Sequence, residues 1–123
     1  MIPRPEWGTF VLRIGLSILF LWFGFSQFLD QSAWISWVPQ WAMNLTGLEA
    51  EMIVLLNGGF EIAFGVLLAL GLYIRPVALV LVLHHAMIIF DIGPTAIGIR
   101  DFGLMMATLA LAFMPPDPYS LDA

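Results

Sequence analysis

The sequence contains no cysteine, no lysine and only four arginines among its 123 residues. Without cysteine, the chain can form no disulfide, no thiolate nucleophile and no Cys-ligated zinc or iron–sulfur site of its own. The net charge is −5, which leaves no basic surface for a phosphate backbone. We therefore expect no nucleic-acid partner and no polybasic lipid-binding strip.

Charge of either sign is also scarce. Charged residues make up 11% of the chain and hydrophobic residues 61%, with a mean hydropathy of +0.96. Soluble domains are about 25% charged, and a small one exposes too much surface to be covered by so few charges. The composition predicts a surface that faces lipid. We expect an integral membrane protein of a bacterial or archaeal plasma membrane.

Charged residues and prolines divide the chain into four apolar runs, and a membrane span needs about 20 such residues. The predicted spans are about 8–28, 52–73, 76–92 and 95–114. The start of the fourth span stays open. A start at Phe102 is too short to cross a bilayer, whereas one at Thr95 places Arg100 and Asp101 inside the helix. The pattern predicts one all-α domain over 1–123, a four-transmembrane-helix bundle.

Tryptophan is concentrated between the first two spans, at Trp34, Trp37 and Trp41. Because tryptophan prefers the headgroup zone, this stretch predicts a short interfacial segment. The arginines predict orientation: Arg4, Arg13 and Arg75 lie on one side of the four spans, against one arginine on the other. The positive-inside rule then places both termini in the cytoplasm.

Glu61 lies in the middle of the second span, where an ionisable group costs roughly 2.5–3.5 kcal/mol and needs a reason. Asn57 precedes it by one turn and Gly65 follows by one turn, so the three residues share a face that should point into the bundle. Counting along the helices places His84 at a similar depth. We predict that Glu61 pairs with His84 or with an arginine.

The first span carries a second polar stripe at helical spacing. Its members are Arg13, Ser17, Phe20, Gly24 and Gln27. This face should turn inward. Arg13 lies near the helix end, so it has two alternatives: its side chain can extend to the cytoplasmic headgroups or reach into the bundle.

His84 and His85 are adjacent and point about 100° apart on a helix, so we expect at most one of them to face a site, the other meeting lipid or another subunit. The pair cannot supply both axial ligands of one haem. A haem or magnesium porphyrin held through one histidine, and a metal held by Glu61 and His84 with Asp101, are weaker alternatives. We expect no metal site.

Five short motifs, in their order along the chain, resemble the DoxX family of small four-helix membrane proteins. The motifs are Arg13–Gly15, Gly24–Gln27, Gly58–Gly65, Gly71–Pro76 and Arg100–Leu104. Relatives in that family include a subunit of a thiosulfate:quinone oxidoreductase and proteins tied to redox maturation. The resemblance therefore implies a membrane subunit of a redox system, with quinone as a possible ligand.

By the same resemblance, Arg13, Glu61, Arg100 and Asp101 match recurrent polar positions of the family, whereas Gln27 stands where many members have a lysine. We expect Glu61, His84 and Asp101 to act as catalytic groups. The expected ligand-binding residues are Arg13, Gln27, Asn57 and Arg100. The alternative is a non-catalytic accessory subunit of a larger respiratory or photosynthetic complex. In either case we expect other membrane or redox subunits as partners, and the sequence leaves open whether the chain is an enzyme.

Overall fold

The computed structural model describes residues 5–123, and within them all regular secondary structure is helical. The α-helices are α1 (Pro5–Leu29), α2 (Gln40–Thr46), α3 (Ala50–Leu70), α4 (Ile74–Ile92) and α5 (Ala96–Phe113). Four of them, α1, α3, α4 and α5, are long and apolar enough to cross a membrane. The predicted all-α, four-span membrane fold is confirmed. Arg4, on which the predicted orientation partly depends, lies outside the described residues.

Helix boundaries follow from local chemistry. Helix α3 ends before the predicted Tyr73 because Gly71 adopts the left-handed conformation, with φ +68°. Pro76 lies in the first turn of α4, where its missing N–H has no intrahelical partner to lose. Helix α5 begins at Ala96, and the hydroxyl of Thr95 accepts a hydrogen bond of 3.1 Å from the backbone N–H of Gly98. Of the two starts left open, the structure therefore shows the longer helix.

The spans pack most closely in two pairs, α1 against α3 and α4 against α5. Gly24 and Gly58 face each other in the first pair. A Cβ built on either glycine would lie 2.9 Å from the carbonyl oxygen of the other. Only residues without a side chain allow two helix backbones to come this close. The core of the bundle is formed by Leu16, Phe20, Leu68, Ile74, Val77, Leu81 and Leu111.

Residues 31–46, here called the tryptophan segment, connect α1 to α3. They form two short 3₁₀ turns, Gln31–Ala33 and Ile35–Trp37, followed by α2. The indole N–H of Trp34 donates a hydrogen bond of 3.0 Å to Ser26 Oγ at the end of α1. The segment therefore covers the end of the bundle where α1 and α4 finish.

Residues 114–123, the C-terminal tail, cover the opposite end of the bundle. The carboxylate of Asp122 accepts hydrogen bonds from the backbone N–H groups of Tyr73 (2.9 Å) and Ile74 (2.7 Å) at the start of α4. The backbone N–H of Asp122 donates to the carbonyl oxygen of Gly71 at 2.9 Å. The tail is thus fixed to the turn between α3 and α4.

Candidate functional site

A chain of polar side chains connects α1 to α3 in the interior of the bundle. Asn57 Nδ2 donates hydrogen bonds of 2.8 Å both to Gln27 Oε1 and to Glu61 Oε1. Gln27 Nε2 donates to the carbonyl oxygen of Phe23 at 3.0 Å. Gln27 is 3% exposed and Glu61 6%. The contact between Gln27 and Asn57 depends on the close approach of the two helices at Gly24.

Glu61 also faces α4, where His84 Nε2 lies 3.6 Å from Glu61 Oε1. This distance is longer than a hydrogen bond, although it is short enough for an ion pair when the imidazole is protonated. The ring of His84 packs against Phe60, with 4.6 Å between the ring centroids. The structure therefore brings the predicted carboxylate and imidazole together and holds them just short of direct bonding.

His85 lines the same cavity as His84, so the expectation that at most one of them faces the site is wrong. The cavity extends around α4 widely enough for side chains about 100° apart to reach it. His85 is 8% exposed, and its ring meets Phe20 edge-on at 5.9 Å between centroids. One sequence signal could have found it: His85 continues the apolar stripe of Val77, Ala78 and Leu81 at helical spacing.

The cavity has a volume of about 340 Å³ and is lined by α1, α3, α4, α5 and the tryptophan segment. Most of its wall is apolar, including Phe20, Phe23 and Ile88. The polar and charged side chains of the wall are Gln27, Asn57, Glu61, His84, His85, Asp91, Arg100 and Asp101. The structure therefore places every predicted site residue except Arg13 around one space.

Arg100 and Asp101 contribute to the cavity from the second turn of α5. Asp101 is 8% exposed, and Arg100 Nη2 lies 3.3 Å from its Oδ1 atom. The side chain of Arg100 is 61% exposed. The pair therefore joins a buried carboxylate to a guanidinium at the open side of the cavity.

The tryptophan segment forms the cover of the cavity, to which Trp34, Trp37 and Trp41 contribute. Trp41 Nε1 donates a hydrogen bond of 3.3 Å to Asp91 Oδ1 in the last turn of α4. A shallow depression on the outside shares Trp37, Trp41 and Asp91 with the cavity wall. The sequence predicts the interfacial segment but not its position above the site.

Arg13 lies at the other end of the bundle, and of its two alternatives the structure shows the inward one, although the side chain does not reach the predicted site. It is 1% exposed, so it does not extend to the headgroups, and it does not line the cavity. Its Nε and Nη2 atoms donate to the two carboxylate oxygens of Asp117 at 2.8 and 3.1 Å. Nη1 donates to the carbonyl oxygens of Leu68 and Ala69. These contacts fix the tail to the end of α3.

The hydrogen bond from Arg13 holds the pKa of Asp117 below its ordinary value, and this effect outweighs burial, which raises it.

Among residues 5–123, no three histidine or acidic side chains lie in an arrangement that could hold a metal ion. The alternative of a metal held by Glu61, His84 and Asp101 therefore has no support in the geometry.

Comparison with known proteins identifies one family. The model of the DoxX family matches residues 8–94. The matched region includes Gln27, Asn57, Glu61 and both histidines, and it ends before Arg100 and Asp101. No curated protein and no solved structure gives a match.

Proposed function

Because the chain belongs to the DoxX family, we propose that it is the membrane subunit of a redox system and binds a quinone in the cavity beside Glu61 and His84. One observation carries this proposal. A buried carboxylate and an imidazole, 3.6 Å apart, lie together on the wall of a largely apolar cavity within a membrane-spanning bundle. An intramembrane carboxylate is costly, and such groups mark functional sites by default.

The residues of the cavity fit a quinone. A volume of about 340 Å³ lies within the range of small-molecule sites, roughly 300–1,000 Å³. Aromatic side chains such as Phe20, Phe23 and Trp34 can pack against a flat ring. Glu61 and His84 supply polar atoms at one place on an apolar wall, which is how small-molecule sites fix the orientation of a ligand.

Reduction of a quinone to a quinol takes up two electrons and two protons. The residues of this chain can serve the proton part of that balance: for each of the two protons, His84 donates a proton toward a ligand oxygen, Glu61 restores it to the imidazole, and solvent at the open side of the cavity returns a proton to Glu61. Asn57 holds Glu61 through its hydrogen bond of 2.8 Å, and Arg100 and Asp101 supply charge at the open side of the cavity. The electrons come from an electron-carrying partner subunit.

The accessory-subunit role is a second candidate, favoured by the apolar outer surface of the spans. Large side chains such as Trp22, Phe90 and Phe113 are 62%, 90% and 75% exposed. Membrane-spanning helices place such residues against lipid, and the same surface can be covered by neighbouring subunits. In this role Gln27 and Glu61 serve only to lock helix packing.

Measurements on membranes that contain the assembled system distinguish the two roles. Glu61→Gln keeps an oxygen for Asn57 to bond, and His84→Phe keeps a ring against Phe60. Under the proposed function each variant lowers quinol formation by about 10²-fold or more, the scale of general acid–base catalysis, while the subunit remains assembled. Trp22→Phe, on the exposed surface of α1, is the matched control. Unchanged turnover in Glu61→Gln and His84→Phe would favour the accessory role.

A further inference from the structure

Two residues that line the cavity each have a buried nitrogen atom with no hydrogen-bond partner among residues 5–123. These atoms are His84 Nε2 and His85 Nδ1. Buried polar atoms in proteins nearly always have a partner, so each exception needs an explanation. The proton relay described above uses His84 and leaves His85 unexplained.

His85 is buried and packed against an aromatic ring although its Nδ1 atom has no hydrogen-bond partner. The residue is 8% exposed, and its ring packs edge-on against Phe20. The titratable groups that act on it are Asp101 on α5, Glu61 on α3 and the neighbouring His84, and all of them line the same cavity. A buried histidine on a cavity wall, with a ring nitrogen that lacks a hydrogen-bond partner, is suited to bind a polar atom of a ligand.

Histidine can form a hydrogen bond with both the oxidised and the reduced form of a ligand. A neutral imidazole nitrogen either donates a hydrogen bond or accepts one, depending on the tautomer. An imidazole on the cavity wall can therefore bind a carbonyl oxygen or a hydroxyl group. Because His84 and His85 point about 100° apart, they cannot both reach a single small group in the same direction. Two histidines that leave α4 in different directions, each with a nitrogen that has no hydrogen-bond partner, favour a ligand with two separate oxygens.

We propose that His85 is a second ligand-binding residue of the cavity and that it gives the site its preference for a ring with two oxygens. His84, beside Glu61, binds one oxygen, and His85 binds the other. This inference rests on the proposed quinone-binding function and adds a specificity-determining residue to it.

A pair of probes tests this arrangement: 1,4-naphthoquinone, which has two carbonyl oxygens, and 1-tetralone, which has one on a similar ring system. Binding is measured by equilibrium dialysis of the purified full chain in detergent, with empty micelles subtracted. The wild-type chain should bind the dione about three- to tenfold more tightly than the ketone, the scale of one hydrogen bond. His85→Phe should reduce this preference to about one.

The stability of the ligand-free chain provides a second readout. Replacing an imidazole that has an unpaired nitrogen by an apolar ring of similar size leaves the melting temperature unchanged or raises it. A structural histidine would instead lower it. Thr108→Val is the matched control, because Thr108 is completely buried, outside the cavity wall, and bonded to the carbonyl oxygen of Leu104. If His85→Phe does not fold, the smaller His85→Leu is measured in the same way.

The outcomes separate this inference from the proposed function. If His85→Phe keeps the wild-type preference while Glu61→Gln binds the dione more weakly, the role of His85 is wrong and quinone binding stands. If the preference disappears in His85→Phe while Glu61→Gln binds as the wild type does, His85 binds the ligand and Glu61 contributes nothing to binding. A wild-type chain that binds neither probe contradicts both.

Discussion

The two ends of the bundle treat their buried polar groups in opposite ways. At the end covered by the C-terminal tail, the guanidinium of Arg13 bonds to both oxygens of Asp117 and to two backbone carbonyl oxygens. At the end covered by the tryptophan segment, His84 and His85 line a cavity, and each has a buried nitrogen without a hydrogen-bond partner. The comparison shows a first end whose buried charges are bonded to each other, whereas the second end, under the proposed function, keeps polar side chains for a ligand.

The largest expected effect is loss of the ion pair between Arg13 and Asp117, at the end of the bundle covered by the C-terminal tail. Arg13→Met leaves the buried carboxylate of Asp117 without its partner, so we expect a loss of about 3–5 kcal/mol of stability. Arg100→Met, at the end covered by the tryptophan segment, removes an arginine whose side chain is largely exposed. It should change stability by about 1 kcal/mol or less. Unfolding in detergent measures both variants. Equal losses would show that the two ends do not differ in this way.

A smaller effect is expected at the glycine contact between α1 and α3. A Cβ on Gly24 would lie 2.6 Å from Ile62 Cγ1 and 2.9 Å from the carbonyl oxygen of Gly58. Gly24→Ala therefore forces the helices apart at a cost of about 1–3 kcal/mol, and it weakens the bond between Gln27 and Asn57.

Gly15→Ala is the matched control on the same helix, since a Cβ there meets nothing within 4 Å. It should be neutral or stabilise the helix by up to about 1 kcal/mol. Thermal unfolding compares the two variants. A Gly24→Ala variant as stable as Gly15→Ala would contradict the close crossing.

Acid should lower the stability that the ion pair between Arg13 and Asp117 contributes. The pKa of Asp117 is lower in the folded chain than its ordinary value, mainly because Arg13 donates a hydrogen bond to it. The resulting stabilisation is complete above the unfolded pKa of about 4 and is lost as the pH falls through the lower, folded value. We expect the wild-type chain to lose more stability than Asp117→Asn between neutral pH and a pH below about 4. Parallel acid dependence of the two chains would show that the pair contributes nothing.

Sequence patterns predict the features that depend on neighbouring residues. The four spans follow from apolar runs, and the shared face of Asn57 and Glu61 follows from their spacing of one helical turn; the structure adds the hydrogen bond between them. By contrast, Arg13 and Asp117 are 104 residues apart. Their contact depends on how the tail folds back, which no local pattern shows.

The rotation of α4 is the second feature that local patterns did not predict. Whether His84, His85 or both face the cavity depends on how α4 packs against its neighbours and on the width of the space between them. The helical period alone leaves this choice open.

The test of membrane orientation should disturb the fold least, because it labels exposed positions and leaves the bundle intact. The arginine distribution predicts cytoplasmic termini, which places the cavity near the outer face. Ser36 and Leu121 are exposed at opposite ends, whereas Ser120 is buried and unsuitable for labelling. In intact cells, an impermeant thiol reagent should modify Ser36→Cys and not Leu121→Cys, with no native cysteine to interfere. The reverse pattern would invert the orientation.

The contrast between the two ends is tested most directly by a matched pair of carboxylate replacements, Glu61→Leu and Asp117→Leu. Thermal unfolding of each chain is followed with and without 1,4-naphthoquinone. Asp117→Leu should lose several kcal/mol without ligand, because it leaves Arg13 buried and unpaired, and it should keep its stabilisation by the quinone. Glu61→Leu should lose little without ligand, since Asn57 keeps its bond to Gln27, but the quinone should no longer stabilise it. If Glu61→Leu is the more destabilised chain and is still stabilised by the quinone, the assignment of structure to one end and binding to the other is contradicted.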